Sequence, residues 1–241
     1  MITMKDQINI LCFGDSNTWG CIGRWIETDL PEERYDRDHR WPGVLQKELG
    51  EQYNVVEEGL CGRTTIYPPV DTPWYNGEPY LLPCLRTHNP LDLVIIMLGT
   101  NDLLHHQQMT LEHLGDGITR LIDIVQGNPR WGRHAVAPRI LVIAPIEIKP
   151  SAPEGRVLVY DKFRRDIGRD LSLHFPEVYA RIAEEKGCWF LNAADYAHPC
   201  DGDGVHLDAE SQVRLGKAVA AFLKAKGLTA DEEARNVINN T

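Results

Sequence analysis

Short runs of apolar residues alternate along the chain with stretches in which apolar residues recur at helical spacing. The runs predict five buried strands, at Ile8–Phe13, Asn54–Glu58, Leu91–Leu98, Arg139–Ala144 and Cys188–Asn192. The spacing predicts helices at Trp41–Leu49, at Thr110–Val125 and from the N-cap Asp208 to about Lys226. Pro176 interrupts a further helical stretch, Val157–Lys186, which we therefore expect to form two segments.

Buried strands that alternate with helices, without internal repeats, predict a parallel sheet covered by helices on both faces. We therefore expect an α/β fold, with one domain over residues 1–227 and a polar, frayed tail over 228–241.

Two segments do not fit the alternation of strands and helices. Trp25–Arg40 is rich in charge, and Ile66–Pro83 combines five prolines with several aromatics, Trp74 among them. The second segment is either a packed surface excursion or a wall over a site or subunit contact.

The composition is that of an ordinary globular protein, with 241 residues of which 43% are hydrophobic. The net charge of −10 argues against nucleic acid or an anionic membrane as partner. The longest purely apolar run, Leu93–Leu98, is far shorter than the ~20 residues of a membrane helix, and residues 1–7 lack the apolar run of a signal peptide. We therefore expect a cytoplasmic protein whose six cysteines are reduced thiols.

Chemistry-bearing residues follow four of the five predicted strands. Gly-Asp-Ser-Asn (14–17) follows the first strand, Gly-Leu-Cys-Gly-Arg-Thr (59–64) the second, Gly-Thr-Asn-Asp (99–102) the third, and Asp-Gly-Asp-Gly-Val-His (201–206) comes after the fifth. Ligands of open α/β sheets bind beyond the carboxyl ends of the strands, so these residues share one rim. The rim would carry Ser16, Gly62, Asn101, Asp203 and His206.

This set matches the parts of an acyl-transfer site. Ser16 is a candidate nucleophile, which needs a base at neutral pH. His206 can be that base, with Asp203 three residues before it on a glycine-containing turn, fixing the tautomer of the imidazole. The backbone N–H groups of Ser16 and Gly62 and the side-chain amide of Asn101 would form the oxyanion hole.

Each of these residues alone has a plainer explanation. A serine in a Gly-Asp-Ser turn is commonly a helix cap, Gly62 can be a simple turn residue, and Asn101 can cap a helix. His206 can be a polar loop residue. Their joint occurrence at strand ends favours an active site.

The four blocks also resemble those of the SGNH (GDSL-type) hydrolases, in family order over residues 14–206. The likeness is strongest to the bacterial arylesterase/acyltransferase branch, at Leu11–Ser16, Glu57–Leu60, Arg63–Thr65 and Leu93–Asp102. The resemblance implies a three-layer α/β/α sandwich, flavodoxin-like, with a five-stranded parallel sheet. It also implies that Ser16, Asp203 and His206 form the triad, and that Ser16, Gly62 and Asn101 form the oxyanion hole.

Other family features carry over as expectations. Asn17 stands where the family usually has leucine, which we expect to tune activity rather than abolish it. Members of the branch often form homo-oligomers with a restricted active-site entrance, and Ile66–Pro83 is the candidate for that role here. Beyond the triad and the oxyanion hole, the residues expected to bind substrate are Asp15, Asn17, Trp19, Arg63 and Trp74.

We therefore expect a serine esterase that hydrolyses short-chain, acetyl-type esters through an acyl-enzyme, with acyl transfer to an alcohol when alcohol outcompetes water. Its partners would be a small ester and water or an alcohol acceptor. A carbohydrate O-acetyl deacetylase is the alternative with the same chemistry, and a non-catalytic binding protein on this fold is the alternative from another class. A phosphate- or metal-dependent hydrolase is a weaker fourth alternative. Neither a Gly-x-Gly-x-x-Gly nor a P-loop string appears, so a nucleotide cofactor is unsupported, and we expect no cofactor and no metal.

Four further candidates have structural alternatives. His105 and His106 are adjacent, so on a helix they do not face one metal ion. Asp15 and Asp102 could be a carboxylate pair for glycosidic chemistry, but a turn anchor and a helix cap explain them more simply. Asp201 rivals Asp203 without the Asp-x-x-His spacing, and Cys61 is more simply a small apolar filler than a reactive thiol. The absence of a Gly-x-Ser-x-Gly elbow separates the chain from the α/β-hydrolase design.

Overall fold

A computed structural model describes residues 7–23, 33–105, 108–149 and 166–228. Within these ranges five parallel strands form one sheet in the order β2-β1-β3-β4-β5. The strands are β1 (Ile8–Gly14), β2 (Tyr53–Gly59), β3 (Leu93–Met97), β4 (Arg139–Ala144) and β5 (Trp189–Asn192). This is the order of a flavodoxin-like doubly wound fold. The α/β fold and the five predicted strands are confirmed.

The helices lie where the apolar spacing places them, with additions. They are α1 (Ser16–Trp19), α2 (Trp41–Leu49), α3 (Gly77–Thr87), α4 (Thr100–His105), α5 (Leu111–Gln126), α6 (Asp166–Leu173), α7 (Phe175–Glu185) and α8 (Ala209–Ala225). Asp208 caps α8 as predicted, since its Oδ1 accepts a hydrogen bond from Ser211 N at 2.6 Å. Thr110 caps α5 in the same way, through His113 N.

The sheet buries both faces, which produces three layers. Alternate side chains of each strand point to opposite faces, so Ile10 and Leu11 of β1 belong to different cores. On one side, Trp41 and Leu45 of α2 and Leu215 and Val219 of α8 cover the sheet. On the other side, the core includes residues of α3, α5 and α7, among them Leu85, Ile118, Phe175 and Tyr179.

The structure corrects the sequence prediction in two places. The break before α7 lies at His174, and Pro176 is in the first turn of α7, where its missing N–H removes no helical hydrogen bond. The segment Ile66–Pro83 contains a 3₁₀ turn at Pro73–Tyr75 and the first seven residues of α3, which Asn76 caps through Glu78 N at 3.0 Å. Proline-rich composition concealed this helix, which retains Pro83 inside it.

Some predicted features fall outside the described residues, namely residues 25–32, residues 157–165 and most of the tail. The first residue of the predicted tail, Leu228, is buried, and its carbonyl oxygen accepts a hydrogen bond from Tyr53 Oη at 2.9 Å. In the described ranges, the helices are all too short or too polar to cross a bilayer.

Candidate active site

The Gly-Asp-Ser-Asn segment turns the chain from β1 directly into α1. Asp15 is the N-cap, and its Oδ1 accepts a hydrogen bond from Asn17 N at 2.9 Å. A Cβ on Gly14 would lie 2.0 Å from Thr18 Oγ1, so the turn requires glycine at that position. Ser16 is therefore the first helical residue after the carboxyl end of a central strand, where the sequence analysis placed it.

A continuous line of hydrogen bonds joins Ser16 to the loop that follows β5. His206 Nε2 lies 2.8 Å from Ser16 Oγ, although the two residues are 190 positions apart in the chain. The other ring nitrogen, Nδ1, lies 2.6 Å from Asp203 Oδ2. The second carboxylate oxygen of Asp203 accepts hydrogen bonds from Val205 N and His206 N, both at 2.9 Å. The arrangement can activate a hydroxyl by moving its proton to the imidazole.

The electrostatics of the pair favour a charged imidazole beside a charged carboxylate. Burial alone would raise the pKa of Asp203, but its hydrogen bonds to the ring and backbone of His206 and to Val205 N lower it below its usual value. Burial alone would lower the pKa of His206, but the hydrogen bond to Asp203 and its charge raise it, with nearby Cys21 acting in the same direction. An imidazolium formed when the ring takes a proton is thus stabilised.

Asn101 contacts the residue that follows Gly62. Gly62 has a φ of +81°, a conformation that favours glycine, in the turn closed by the hydrogen bond from Arg63 N to Leu60 O. Asn101, buried at the start of α4, donates from Nδ2 to Arg63 O at 3.1 Å. Since an amide nitrogen carries two hydrogens, one remains for a ligand.

Asp15 and Asp102 are buried carboxyl groups that serve as acceptors for the backbone around the site. Asp102 accepts hydrogen bonds from Thr65 N at 3.1 and 3.0 Å, and from Thr65 Oγ1. Burial raises the pKa of Asp15 to about 6 and that of Asp102 to about 7. Asp15 thus caps its own helix, whereas Asp102 holds Thr65, 37 residues away, which differs from the arrangement of a glycosidic acid and base acting on a bound sugar.

Two predicted substrate contacts, Arg63 and Asn17, are placed in the interior instead. The Arg63 side chain is 1% exposed, with its guanidinium 4.2 Å from the ring centre of Phe13 and 4.8 Å from that of Tyr80. It donates to Gly14 O at 2.8 Å and to Glu58 O. Arg63 therefore ties the turn at Gly62 to the end of β1.

Of the neighbouring aromatic residues Trp74 and Tyr75, it is Tyr75 that lies against Gly62. A Cβ on Gly62 would lie 3.1 Å from the Tyr75 ring, while Trp74 is 62% exposed. Trp19, at the end of α1, has the Arg34 guanidinium 5.0 Å above its ring. Tyr75 could not be predicted, because the aromatic pair 74–75 does not reveal which ring turns inward. Cys21, next to His206, could not be predicted either, since nothing in the sequence links the two.

The remaining candidates are placed as follows. Asp201 is exposed, and the carboxylate that contacts His206 is that of Asp203. His106 lies outside the described residues. Across 7–23, 33–105, 108–149 and 166–228, no three His, Cys, Asp or Glu side chains are grouped as metal ligands would be.

Comparison with known proteins agrees with this geometry. The family model described as the GDSL-like Lipase/Acylhydrolase family matches residues 12–214. Among curated proteins, no relative was matched.

Solved structures of esterases match over nearly the whole chain. The aryl esterase of M. smegmatis is 34% identical, with a TM-score of 0.81, and the match covers 92% of this chain and 100% of that one. A carbohydrate acetylesterase from Sinorhizobium meliloti is also 34% identical, with a TM-score of 0.82 and coverage of 91% and 100%. A carbohydrate acetylesterase family member from the same organism is 32% identical, with a TM-score of 0.75 and coverage of 91% and 98%.

Proposed function

The chain belongs to the GDSL-like lipase/acylhydrolase family and is a carboxylic ester hydrolase, and on this premise we propose that it cleaves short-chain, acetyl-type esters through an acyl-enzyme on Ser16. The observation that carries the proposal is the line of hydrogen bonds from Ser16 Oγ through His206 to Asp203, at 2.8 and 2.6 Å. The line supplies a nucleophile, a base and the group that orients the base.

The proposed reaction has two halves. Ser16 Oγ attacks the ester carbonyl carbon while its proton moves to His206 Nε2, and the imidazolium is stabilised by Asp203. The tetrahedral intermediate then collapses, the C–O bond to the alcohol breaks, and His206 returns its proton to the leaving alcohol. Water then attacks the acyl carbon while its proton moves to His206. The second intermediate collapses, the C–O bond to Ser16 Oγ breaks, and His206 returns the proton to Ser16 Oγ as the carboxylic acid leaves.

The negative oxygen of each intermediate would be bound by the backbone N–H groups of Ser16 and Gly62 and by Asn101 Nδ2. Supporting this role, Asn101 is buried and held in place by its hydrogen bond to Arg63 O at 3.1 Å. Preorganised donors of this kind contribute most where water is excluded. Losing one typically costs on the order of 10²–10³-fold in turnover.

The preference for a small acyl group rests on the surroundings of Gly62. The Tyr75 ring lies against this glycine, which limits the space beside the oxyanion turn. The solved relatives include an aryl esterase and a carbohydrate acetylesterase, which supports acetyl-type esters.

The decisive experiment replaces the nucleophile. We expect Ser16→Ala to abolish hydrolysis of p-nitrophenyl acetate, while circular dichroism and thermal unfolding show a folded protein. A folded Ser16→Ala protein with near-normal turnover would contradict the mechanism.

A second candidate substrate is an acetylated carbohydrate, favoured by the likeness to the carbohydrate acetylesterase from Sinorhizobium meliloti. Acetate release from acetylated sugars and acetylxylan, compared with aryl acetates at equal enzyme concentration, separates the two substrate classes. Adding an alcohol to the same assay measures acyl transfer, which the mechanism permits because the alcohol can replace water in the second half. A homo-oligomer with a restricted entrance remains a proposal from the family resemblance.

A further inference from the structure

Asn17 occupies the position after Ser16, and its side chain is 3% exposed. Both ends of its amide are used by the loop that carries His206. Nδ2 donates to Val205 O at 3.3 Å, and Oδ1 accepts from Leu207 N at 2.9 Å. The side chain therefore contacts the backbone on either side of His206, as a neighbouring strand would.

The rest of Asn17 is equally constrained. Its backbone N–H donates to Asp15 Oδ1 at 2.9 Å, and its carbonyl oxygen accepts from Gln212 Nε2 at 3.0 Å. Gln212, in α8, is fully buried and accepts from Trp41 N at 2.9 Å. These two hydrogen bonds fix the backbone of Asn17, from which its side-chain amide extends to the loop.

Contacts inside the loop fix the position of His206 relative to Asp203, but not relative to Ser16. Asp203 Oδ1 accepts from Val205 N and His206 N, so the carboxylate and the imidazole move together with the loop. One peptide bond separates Ser16 from Asn17, whereas Ser16 and His206 are 190 residues apart. Apart from the direct contact between Ser16 Oγ and His206 Nε2, the two hydrogen bonds of the Asn17 amide join the residue next to Ser16 to the backbone on both sides of His206.

We infer that Asn17 is a positioning residue, whose side-chain amide sets the distance between His206 Nε2 and Ser16 Oγ. This inference rests on the proposed serine mechanism. It assigns Asn17 to the alignment of the base, in place of the substrate contact expected from the sequence. Leucine, usual at this position in the family that the sequence resembles, has no group to bind either Val205 O or Leu207 N.

The test compares Asn17→Leu with Asn9→Leu. Asn9 also uses both ends of its amide, with Nδ2 donating to Pro90 O at 2.8 Å and Oδ1 accepting from Asn54 Nδ2 at 3.1 Å, but it lies toward the amino end of β1. A fluorophosphonate probe, run to completion, counts the competent sites in each protein. Turnover of p-nitrophenyl acetate is then expressed per labelled site.

We expect kcat per labelled site to fall on the order of 10²-fold in Asn17→Leu with KM unchanged, because misplacement of a catalytic group by about 1 Å costs that much. Asn9→Leu is expected to lower the melting temperature and to keep kcat per labelled site. A purely structural role would reduce the labelled fraction of Asn17→Leu but leave kcat per labelled site at the wild-type value, and that result overturns the inference.

Asn17→Asp carries the same test if the leucine variant does not fold. Its carboxylate retains the acceptor for Leu207 N and loses the donor to Val205 O, so we expect an intermediate loss of kcat. Wild-type kcat in this variant also overturns the inference. Ser16→Ala, assayed in parallel, keeps the two proposals apart, since turnover in Ser16→Ala refutes the serine mechanism itself.

Discussion

At the scale of single residues, burial and not sequence spacing distinguishes the Asp203–His206 pair from a second aspartate–histidine pair in the chain. Asp36 and His39 have the same Asp-x-x-His spacing, and His39 Nδ1 lies 2.7 Å from Asp36 Oδ1. Their side chains are 68% and 54% exposed, however, whereas that of Asp203 is 1% exposed. Only the buried pair is desolvated, so only there does the carboxylate act strongly on the imidazole.

Asp203 raises the pKa of His206, and this predicts the pH dependence of hydrolysis. Because the base must be neutral, kcat/KM should rise with pH through a midpoint above the usual histidine value of about 6.5. Asp203→Asn should move this midpoint to lower pH and reduce kcat on the order of 10⁴-fold. The measurement is the kcat/KM profile for an acetate ester between pH 5 and 9.

The control is Asp36→Asn, the same substitution in the exposed pair, which should leave both the midpoint and kcat unchanged. An acid limb with the same midpoint in wild type and Asp203→Asn would show that Asp203 does not set the pKa of the base.

At the scale of elements, α3 and the 3₁₀ turn before it connect the proline-rich segment to the site. Thr64 N donates to Tyr75 O at 2.9 Å, and Gly77 N donates to Thr64 O at 3.1 Å, so the segment is joined to the backbone just after Gly62. Tyr80 of α3 and Phe13 of β1 both lie against the Arg63 guanidinium, which is 4.8 and 4.2 Å from the centres of their rings. The segment is therefore part of the framework of the turn at Gly62.

This placement predicts that Tyr75, and not Trp74, limits the size of the acyl group. Tyr75→Ala should raise kcat/KM for butyrate and hexanoate esters relative to acetate, because it removes the ring that lies against Gly62. Trp74→Ala removes a larger but mostly exposed ring and should leave the ratio unchanged. A series of p-nitrophenyl esters of increasing chain length measures both ratios. A shift in Trp74→Ala alone would place the acyl group against the other aromatic.

At the scale of the whole molecule, the site depends on carboxyl groups buried at a cost in stability. The pKa of Asp102 is raised by burial to about 7, against about 3.9 in an unfolded chain. Between these values the folded protein binds more protons than the unfolded one, so this group makes the free energy of unfolding fall as pH rises. Asp15, whose pKa is about 6, acts in the same direction.

Asp102→Asn removes one of these carboxyl groups, so the free energy of unfolding should decrease less steeply with pH. The lost hydrogen bonds to Thr65 impose a cost at every pH, but the stability of the variant relative to wild type should improve from pH 5 to pH 7.5. Urea unfolding at both pH values gives the comparison, with Asp71→Asn, an exposed carboxylate, as the control. Parallel changes in wild type and Asp102→Asn would mean that Asp102 does not take up a proton in the folded state.

The local pattern of apolar residues was sufficient to predict the strands of the sheet and the residues that follow them. Continuous apolar runs such as Leu93–Met97 identify strands buried on both faces, and a capping residue such as Asp208 identifies a helix start. Features set by tertiary contact were not predictable. The partners of Asn17 are 188 and 190 residues away, and the inward turn of Tyr75 depends on its pairing with Thr64. The helix α3 was concealed by prolines that tertiary packing tolerates.

The bond between Gln212 and the carbonyl oxygen of Asn17 joins the last described helix, α8, to the first described helix, α1. During synthesis, Ser16, the proposed nucleophile, emerges long before His206, its proposed base, and before α8. A chain that stops short of residue 206 therefore contains Ser16 without the means to activate it. On the proposed mechanism, ester hydrolysis therefore reports that synthesis has passed residue 206, and shorter products are silent as hydrolases.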